Sequence, residues 1–406
     1  MSHQANDDFH DEPREWSRYK NHILDYYLKP YLEKVKTLGR PILIVDMFAG
    51  RGRFRNGEAG SPVIIAERIR QMSSSDVLAS VVCIERRPKV AVDLRKHMAE
   101  YRFAEVWEGN CLTRIDEIAA RAANATVLLY VDPYEAAQLN LQQLSRVYRL
   151  IKQQSVEVLE VFMASAVIRH ARQILALERQ SASRGDSSAP LLEFMPEEEN
   201  FWKRDEESAS CETRAKMIKS SREQITSVVG GDYWEDIAAK ELEHDEHIRL
   251  LVSQYRKRLS EWFRATMAVP IHASDGGHAP KYYMVFGSRY WGALDLMNDA
   301  ACKVGHLQSV AWNTGGSLFG GASFDPKSSA DAVIAEVRQR VRGGFRGPWN
   351  RLRWSIEEDM VGRFKRSEID GAIRALIGRG EVLEQSETVP EEGPDIIWAK
   401  TQSARD

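Results

Sequence analysis

The sequence predicts an α/β protein: a mainly parallel, Rossmann-like sheet, a helical insertion late in that sheet, and a small α+β module at the carboxy terminus. Three observations predict it. Short β-branched runs alternate with helical patterns from about residue 13 to 325, the arrangement of chains that build parallel sheets. Two of those runs, 42–45 and 126–131, are apolar without interruption, as strands covered on both faces must be. Beyond residue 331 the pattern changes to short helices and then two strands.

Taken in order, residues 1–12 are polar and expected to be mobile. A helix over 16–36 brings Trp16, Tyr19, Ile23, Tyr27 and Tyr31 near one face, with Pro30 inside it. Strands follow at 42–46, 79–85, 103–107, 126–132 and 156–162, and segments 281–287 and 308–313 are read as a closing antiparallel hairpin. The insertion spans 181–270. It opens on a small-residue loop, 181–189, and continues as helices anchored by Tyr233, Trp234, Ile237, Leu251, Tyr255, Leu259, Trp262 and Phe263. A second domain is placed at 331–402, with helices at 332–341, 355–362 and 365–377, a strand from Gly380 and its partner at 395–398. Helix, turn, helix and β-wing make a winged-helix pattern, whose third helix commonly enters a DNA groove.

The chain's bulk properties narrow the function classes. A length of 406 residues calls for more than one domain, and 43% hydrophobic content is ample for packed cores. A net charge of −3 gives no overall polyanion-binding signal, so any nucleic-acid contact must be local. Cys83, Cys111, Cys211 and Cys302 are scattered without a C-x-x-C pair, which fits a reducing cytoplasm and argues against a zinc or iron–sulfur site. There is no signal-peptide pattern and no apolar run of about 18 residues, so neither secretion nor membrane insertion is expected.

The chemistry is concentrated at strand ends. Strand 42–46 ends in Asp46 and runs through Phe48 into Gly50 and Gly52. Such glycines let backbone turn tightly against a ligand, at the sheet edge where open α/β sheets bind their ligands. The next strand ends in Glu85, a carboxylate suited to both hydroxyls of a ribose, and the third is followed by Asn110, placed near an adenine ring. The dinucleotide pattern wants its acid about 20 residues after the glycines; here a loop over 51–62, with Arg51, Arg53 and Arg55, lengthens the spacing. These features point to S-adenosylmethionine held by Asp46, Phe48, Gly50, Gly52, Glu85 and Asn110.

The fourth strand ends in Asp132-Pro133-Tyr134. An exocyclic base amine is a weak nucleophile, and carboxylate and carbonyl acceptors on its N–H bonds return electron density to nitrogen. Asp132 and the Pro133 carbonyl are candidates for those acceptors, and Tyr134 for a stacking platform. Amino-methyltransferases usually carry one more proline here. The alternative is that Pro133 simply stops a ladder.

Two further clusters carry less. His244-Asp245-Glu246-His247 could share a helix face, but no third ligand is evident and no metal is expected. Arg169-His170 follow the fifth strand at the ligand edge. In the carboxy-terminal module, residues 336–379 hold eleven Lys and Arg against six Asp and Glu. Arg338, Arg342, Arg346, Arg351, Arg353, Lys365 and Arg366 are the candidate nucleic-acid contacts, interleaved with Phe345, Trp349 and Trp354. Winged-helix use for protein contact is the alternative, and Glu357-Glu358-Asp359 interrupt the basic run.

Several of these segments, in this order, resemble the three-Cys-motif partner (TcmP) family. The matching pieces are the first helix, Asp46-Met47-Phe48-Ala49-Gly50-Arg51-Gly52, Gly60-Ser61-Pro62, Asp132-Pro133-Tyr134, Phe162-Met163, Gly231-Asp232-Tyr233-Trp234 and Tyr282-Tyr283-Met284-Val285-Phe286-Gly287. The resemblance implies a methyltransferase-like core and a companion three-cysteine-motif, radical-SAM-like protein. Glu135 stands where the family has glycine after Asp-Pro-aromatic, and Val161, beside Glu160, stands where its asparagine is expected. The expectation is a methyltransferase acting on DNA or RNA with that partner. The rivals are a non-catalytic scaffold of the same fold and a protein or small-molecule methyltransferase.

Overall fold

The computed structural model describes residues 15–72, 77–152, 155–183, 211–272, 280–314, 326–389 and 393–398. The expected mobile segment 1–12 and most of the 181–189 loop lie outside them. In chain order the large unit contains α1 (Glu15–Val35), β1 (Ile42–Asp46), α2 (Ser61–Gln71), β2 (Ala79–Glu85), α3 (Pro88–Met98), β3 (Ala104–Glu108), α4 (Ile115–Arg121) and β4 (Thr126–Val131). It continues with α5 (Leu141–Leu150), β5 (Val156–Phe162), α6 (Ala164–Ser183), α7 (Cys211–Val229), α8 (Trp234–Ala238), α9 (His244–Leu259), β6 (Ala265–Ile271), β7 (Tyr282–Ser288) and α10 (Ala293–Thr314).

The seven strands form one sheet in the order β3-β2-β1-β4-β5-β7-β6. β1 to β5 are parallel, and β7 runs antiparallel to both β5 and β6. Every residue of β1 and β4 is buried, which is why both read as unbroken apolar runs. Odd and even residues feed two separate cores. Ile42 and Ile44 pack toward α1, α2, α3 and α10, whereas Leu43 and Val45 pack toward α4 to α9. Strand order reverses between β1 and β4, and the crevice at such a switch point is where open sheets bind ligands.

The hairpin is built differently from the expectation. Segment 308–313 lies inside α10, whose Leu294, Met297, Ala301 and Val304 are buried at helical spacing. The partner of β7 is β6, taken from the end of the presumed insertion. Its Pro270 disguised it as a non-strand, yet β6 is the edge of the sheet, where proline is tolerated. α1 forms as expected, with Tyr19, Ile23, Tyr27 and Tyr31 buried and Pro30 inside the helix.

The last part of the chain has α11 (Pro326–Arg342), β8 (Gly347–Pro348), α12 (Trp349–Asp359), α13 (Arg366–Gly378), β9 (Val382–Val389) and β10 (Gly393–Trp398). Its three strands pair antiparallel in the order β8-β10-β9. Val337, Leu352, Ile356, Ile369, Ile373, Leu376 and Ile396 make a core of their own. Polar contacts clamp this unit to α10. The Asn298 side chain donates to the Phe364 carbonyl at 2.7 Å and accepts from the Gly362 N–H at 2.9 Å, and Arg353 reaches Asp295.

Candidate active site

The sharp turn after β1 brings the chain back over the sheet edge. Gly50 (φ +63°) and Gly52 (φ +85°) both take left-handed backbone, where a Cβ is strained. The space beside Gly50 is open, whereas a Cβ on Gly52 would meet His97 and Leu94 at 3.3 Å. Gly50 therefore presents bare backbone to the crevice, and Gly52 allows the turn to pack on α3. Glu85 secures this turn from the next strand. Its Oε2 accepts from the Gly50 N–H at 3.0 Å, and its Oε1 accepts from both the Arg87 N–H at 2.8 Å and the Arg87 Nε at 3.2 Å, which leaves a lone pair on Oε2.

A cavity of about 550 Å³ lies over the carboxyl ends of β1, β2 and β4. Phe48, Gly50, Gly52, Glu85 and Asn110 line one half, and Asp132, Pro133 and Tyr134 line the other. Asn110 caps a short turn by accepting from the Leu112 N–H at 3.0 Å. The Arg87 guanidinium sits 5.8 Å from the Tyr134 ring centre, within cation–π range, so the proposed stacking platform is braced by a cation. Glu135 is exposed at the same rim.

Asp46 departs from its expected place. It is fully buried and does not line the cavity. Its carboxylate accepts from Ser61 Oγ at 2.6 Å and from the Phe48 N–H at 3.2 Å. Ser61 and Phe48 do line the cavity, so Asp46 holds the residues that would meet a ligand. Burial pushes its carboxyl up to about 7, against the lowering effect of those hydrogen bonds.

Sequence reasoning missed the acceptor side's second wall, which is α1. Trp16, Ser17, Lys20 and Asn21 line the cavity. The Lys20 ammonium bridges both oxygens of Asp132, at 2.7 Å and 2.8 Å. Tyr130 OH donates to Asp132 Oδ2 at 3.2 Å, and Lys20 stands 5.3 Å from the Tyr282 ring centre. Lys20 lies one turn after Trp16, but nothing in that spacing connects it to residue 132.

The other candidates separate by environment. His247 is buried, with its ring nitrogens 3.1 Å from the Lys240 and Glu243 carbonyls, and His244 contacts Ser165 Oγ at 3.1 Å. In the carboxy-terminal unit Arg353 is only 3% exposed and is divided between Asp295 and Asp370, so it is a structural cation and not a phosphate contact. Arg338 is paired side-on with Glu381 at 2.7 Å and 3.0 Å, and Arg366 reaches Asp295 at 3.2 Å. Arg351 stacks over Trp291, 4.7 Å from its centre. Arg342, Arg346 and Lys365 are exposed. Among the described residues no group of three or more His, Cys, Asp or Glu side chains could hold a metal ion, and no helix is long and apolar enough to cross a membrane.

No family model matches the chain, and no curated protein matches it. Among solved structures it is similar to a protein from Staphylococcus aureus assigned as a caffeoyl-CoA O-methyltransferase, at 13% identity and a TM-score of 0.28, over 64% of this chain and 82% of that one. It is also similar to cofactor-bound Rv0187 from MTB, at 15% identity and a TM-score of 0.25, over 41% of this chain and 68% of that one. Likenesses at these scores carry no argument about chemistry, which rests on the sheet order and on the two halves of one cavity.

Proposed function

We propose that this protein is an S-adenosylmethionine-dependent methyltransferase whose acceptor is carried by a nucleic acid. One observation carries the reading: the glycine turn, Glu85 and Asn110 share a single cavity with Asp132, Pro133 and Tyr134. A volume of about 550 Å³ falls within the range of about 300–1,000 Å³ usual for small-molecule sites. The antiparallel β6–β7 pair at the sheet edge is the one methyltransferase sheets carry, which supports the same reading. Glu85 Oε2 would take a ribose hydroxyl, the Gly50–Gly52 backbone would admit the amino-acid part, and Asn110 would face the adenine. When bound, the cofactor supplies an electrophilic methyl group.

The carboxy-terminal unit supports the nucleic-acid part. Its succession of α11, β8, α12, α13 and the β9–β10 pair is compatible with the winged-helix reading of the sequence, in which α13 would be the groove-reading helix. Arg342, Arg346 and Lys365 are the exposed cations suited to phosphates. Work with a three-cysteine-motif partner is part of the proposal and rests on the sequence resemblance. A non-catalytic scaffold is the second reading; the Glu135 carboxylate at the rim favours it, since it repels a polyanion.

Calorimetric titration of S-adenosylmethionine tests the cofactor site. Wild-type protein is expected to bind, and Glu85→Ala to weaken binding by about tenfold or more, because charge-assisted hydrogen bonds contribute about 1.5–3 kcal/mol. Asp46→Asn is expected to have a smaller effect, since Asp46 acts through Ser61 and Phe48. A folded wild-type protein that does not bind the cofactor rules the enzyme reading out. For the nucleic-acid site, affinity should fall steeply with salt. Arg346→Ala should lower the slope of log K against log salt by about 1, and an unchanged slope removes Arg346 from the interface.

A further inference from the structure

The seam between the two units is built on one helix. α12 turns Leu352 and Ile356 into the carboxy-terminal core. Its Trp354 joins the core of the large unit instead and stacks on Trp291, with ring centres 5.8 Å apart. Glu357 lies one turn after Arg353 and is wholly buried. Neither of its carboxyl oxygens meets a donor among the described residues. Its hydrogen-bond contact is Asp295 of α10, another acid.

An ionised carboxylate in that place would lack any donor and would face a second negative charge, and both disfavour the charged form. Asp295 is the acid that the Arg353 guanidinium grips, at 2.9 Å and 3.1 Å, with Trp354 Nε1 at 3.0 Å. The proton therefore sits on Glu357, whose O–H donates to Asp295. The other titratable groups beside it are Asp299 and Cys302 on α10. Arg366 and Asp370 on α13 reach Asp295 and Arg353, and Arg256 on α9 pairs with Glu358 at 3.3 Å. Burial and the Asp295 charge push the Glu357 carboxyl up to about 9.

We propose that the carboxy-terminal unit docks on α10 with uptake of one proton, held by Glu357 between the two units, so that opening the seam releases it. This latch is independent of the chemistry proposed for the cavity. The unit has its own core, and much of the seam is polar. Asn298 meets Gly362 and Phe364, and Asp299 accepts from the Arg366 N–H at 3.0 Å. Such a unit can part as a body. Once the seam opens, Glu357 meets water, returns to the ordinary carboxylate range and ionises. Its contribution to docking is complete below the ordinary value of 4.5 and is lost as pH rises through about 9. Across that window the docking constant falls about tenfold per pH unit.

Hydrogen exchange tests it on the full chain. The Gly362 and Arg366 amides donate across the seam, so their exchange reports its opening. Between pH 6 and 8 their protection factors should fall by about tenfold or more per pH unit. Glu357→Gln keeps the shape and an N–H for Asp295, and should remove about one such decade per unit. Burial also raises Asp299 and Glu358, so the difference between the two proteins isolates Glu357. Equal slopes overturn the proposal. The Ile373 amide, inside α13, is the control. If it loses protection in step with Gly362, the unit unfolds instead of parting, and the latch is overturned as well.

A second readout needs no variant. At pH 8 Asp46, Glu157 and Glu160, each near 7, have largely lost their protons. The infrared spectrum of the wild-type protein should still carry the C=O stretch of a protonated carboxyl, and lose it as pH passes about 9. A spectrum without that band at pH 8 removes the proton on which docking depends.

Discussion

Arg353→Met is expected to lower the free energy of unfolding by about 3–5 kcal/mol, the range for breaking a buried ion pair from one side. Arg353 lies between Asp295 of α10, at 2.9 Å, and Asp370 of α13, at 2.8 Å. Removing it leaves the Asp295 and Asp370 carboxylates, both little exposed, with the half-exposed Arg366 as the cation still in reach, at 3.2 Å and 3.7 Å. Glu357 is itself fully buried, and burial and the Asp295 charge already push it up to about 9. The double variant Arg353→Met, Asp295→Leu should recover part of the loss, because one of the two carboxylates that Arg353 neutralised is then gone, while Asp370 keeps Trp349 Nε1 at 2.8 Å and Arg366 at 3.7 Å. Trp354 Nε1, which donates to Asp295 at 3.0 Å, loses its acceptor, so recovery is incomplete. Urea denaturation followed by tryptophan fluorescence checks both. A single variant as stable as wild type would show that the carboxy-terminal unit is not held by this cation.

Stability should also fall as pH rises from about 5 to 8, opposite to the usual behaviour of carboxylate-rich proteins. Buried acids cause it, Glu357 among them. Burial pushes Asp46, Glu157 and Glu160 each up to about 7. A folded state with raised acid pKa values binds more protons than the unfolded chain, so ∂ΔG/∂pH is negative. The contribution is fully present below the unfolded value of about 4.5 for a glutamate and is lost as pH passes about 7. For one such glutamate the shift corresponds to about 3 kcal/mol. Glu160 accepts from Tyr148 OH and from Tyr255 OH at 2.6 Å, and both hydroxyls can rotate to suit an amide. Glu160→Gln should therefore fold and flatten the pH slope, read from denaturation midpoints at pH 5, 6, 7 and 8. A midpoint that rises across this window would contradict the assignment.

How far the sequence could be read depended on the range of the interaction. Strand ends were legible because a buried strand and its glycine turn are contiguous: residues 42–52, 79–85 and 126–134 delivered one wall of the cavity in place. Asp46 was placed at the right edge but given the wrong neighbour, since pattern does not say whether a strand-end acid faces ligand or the loop that covers it. Pro270 hid an edge strand, because a proline's meaning depends on which side of a sheet is open. Lys20 could not be found at all. Its partner is 112 positions away, and a lysine one turn from a tryptophan looks like any solvated helix residue. Arg353 failed in the opposite direction, since a basic run was read as surface when one of its members neutralises the interior.

The placement of α1 also has a consequence for the order in which the site can exist. The cofactor side, from Met47 to Leu112, is complete early in synthesis. The acceptor side is not. Lys20 needs Asp132, and α1 is seated by Tyr27 against Glu157 of β5 and Phe286 of β7, while Tyr282 of β7 supplies the ring beneath the ammonium. The docking surface of α1 is whole only once Phe286 of β7 has been made, a long-range closure of the kind that folds late. On the proposed function, a nascent or truncated chain would thus hold a methyl donor without an acceptor pocket beside it, and chemistry would begin only when α1 has been claimed by the sheet's last strand.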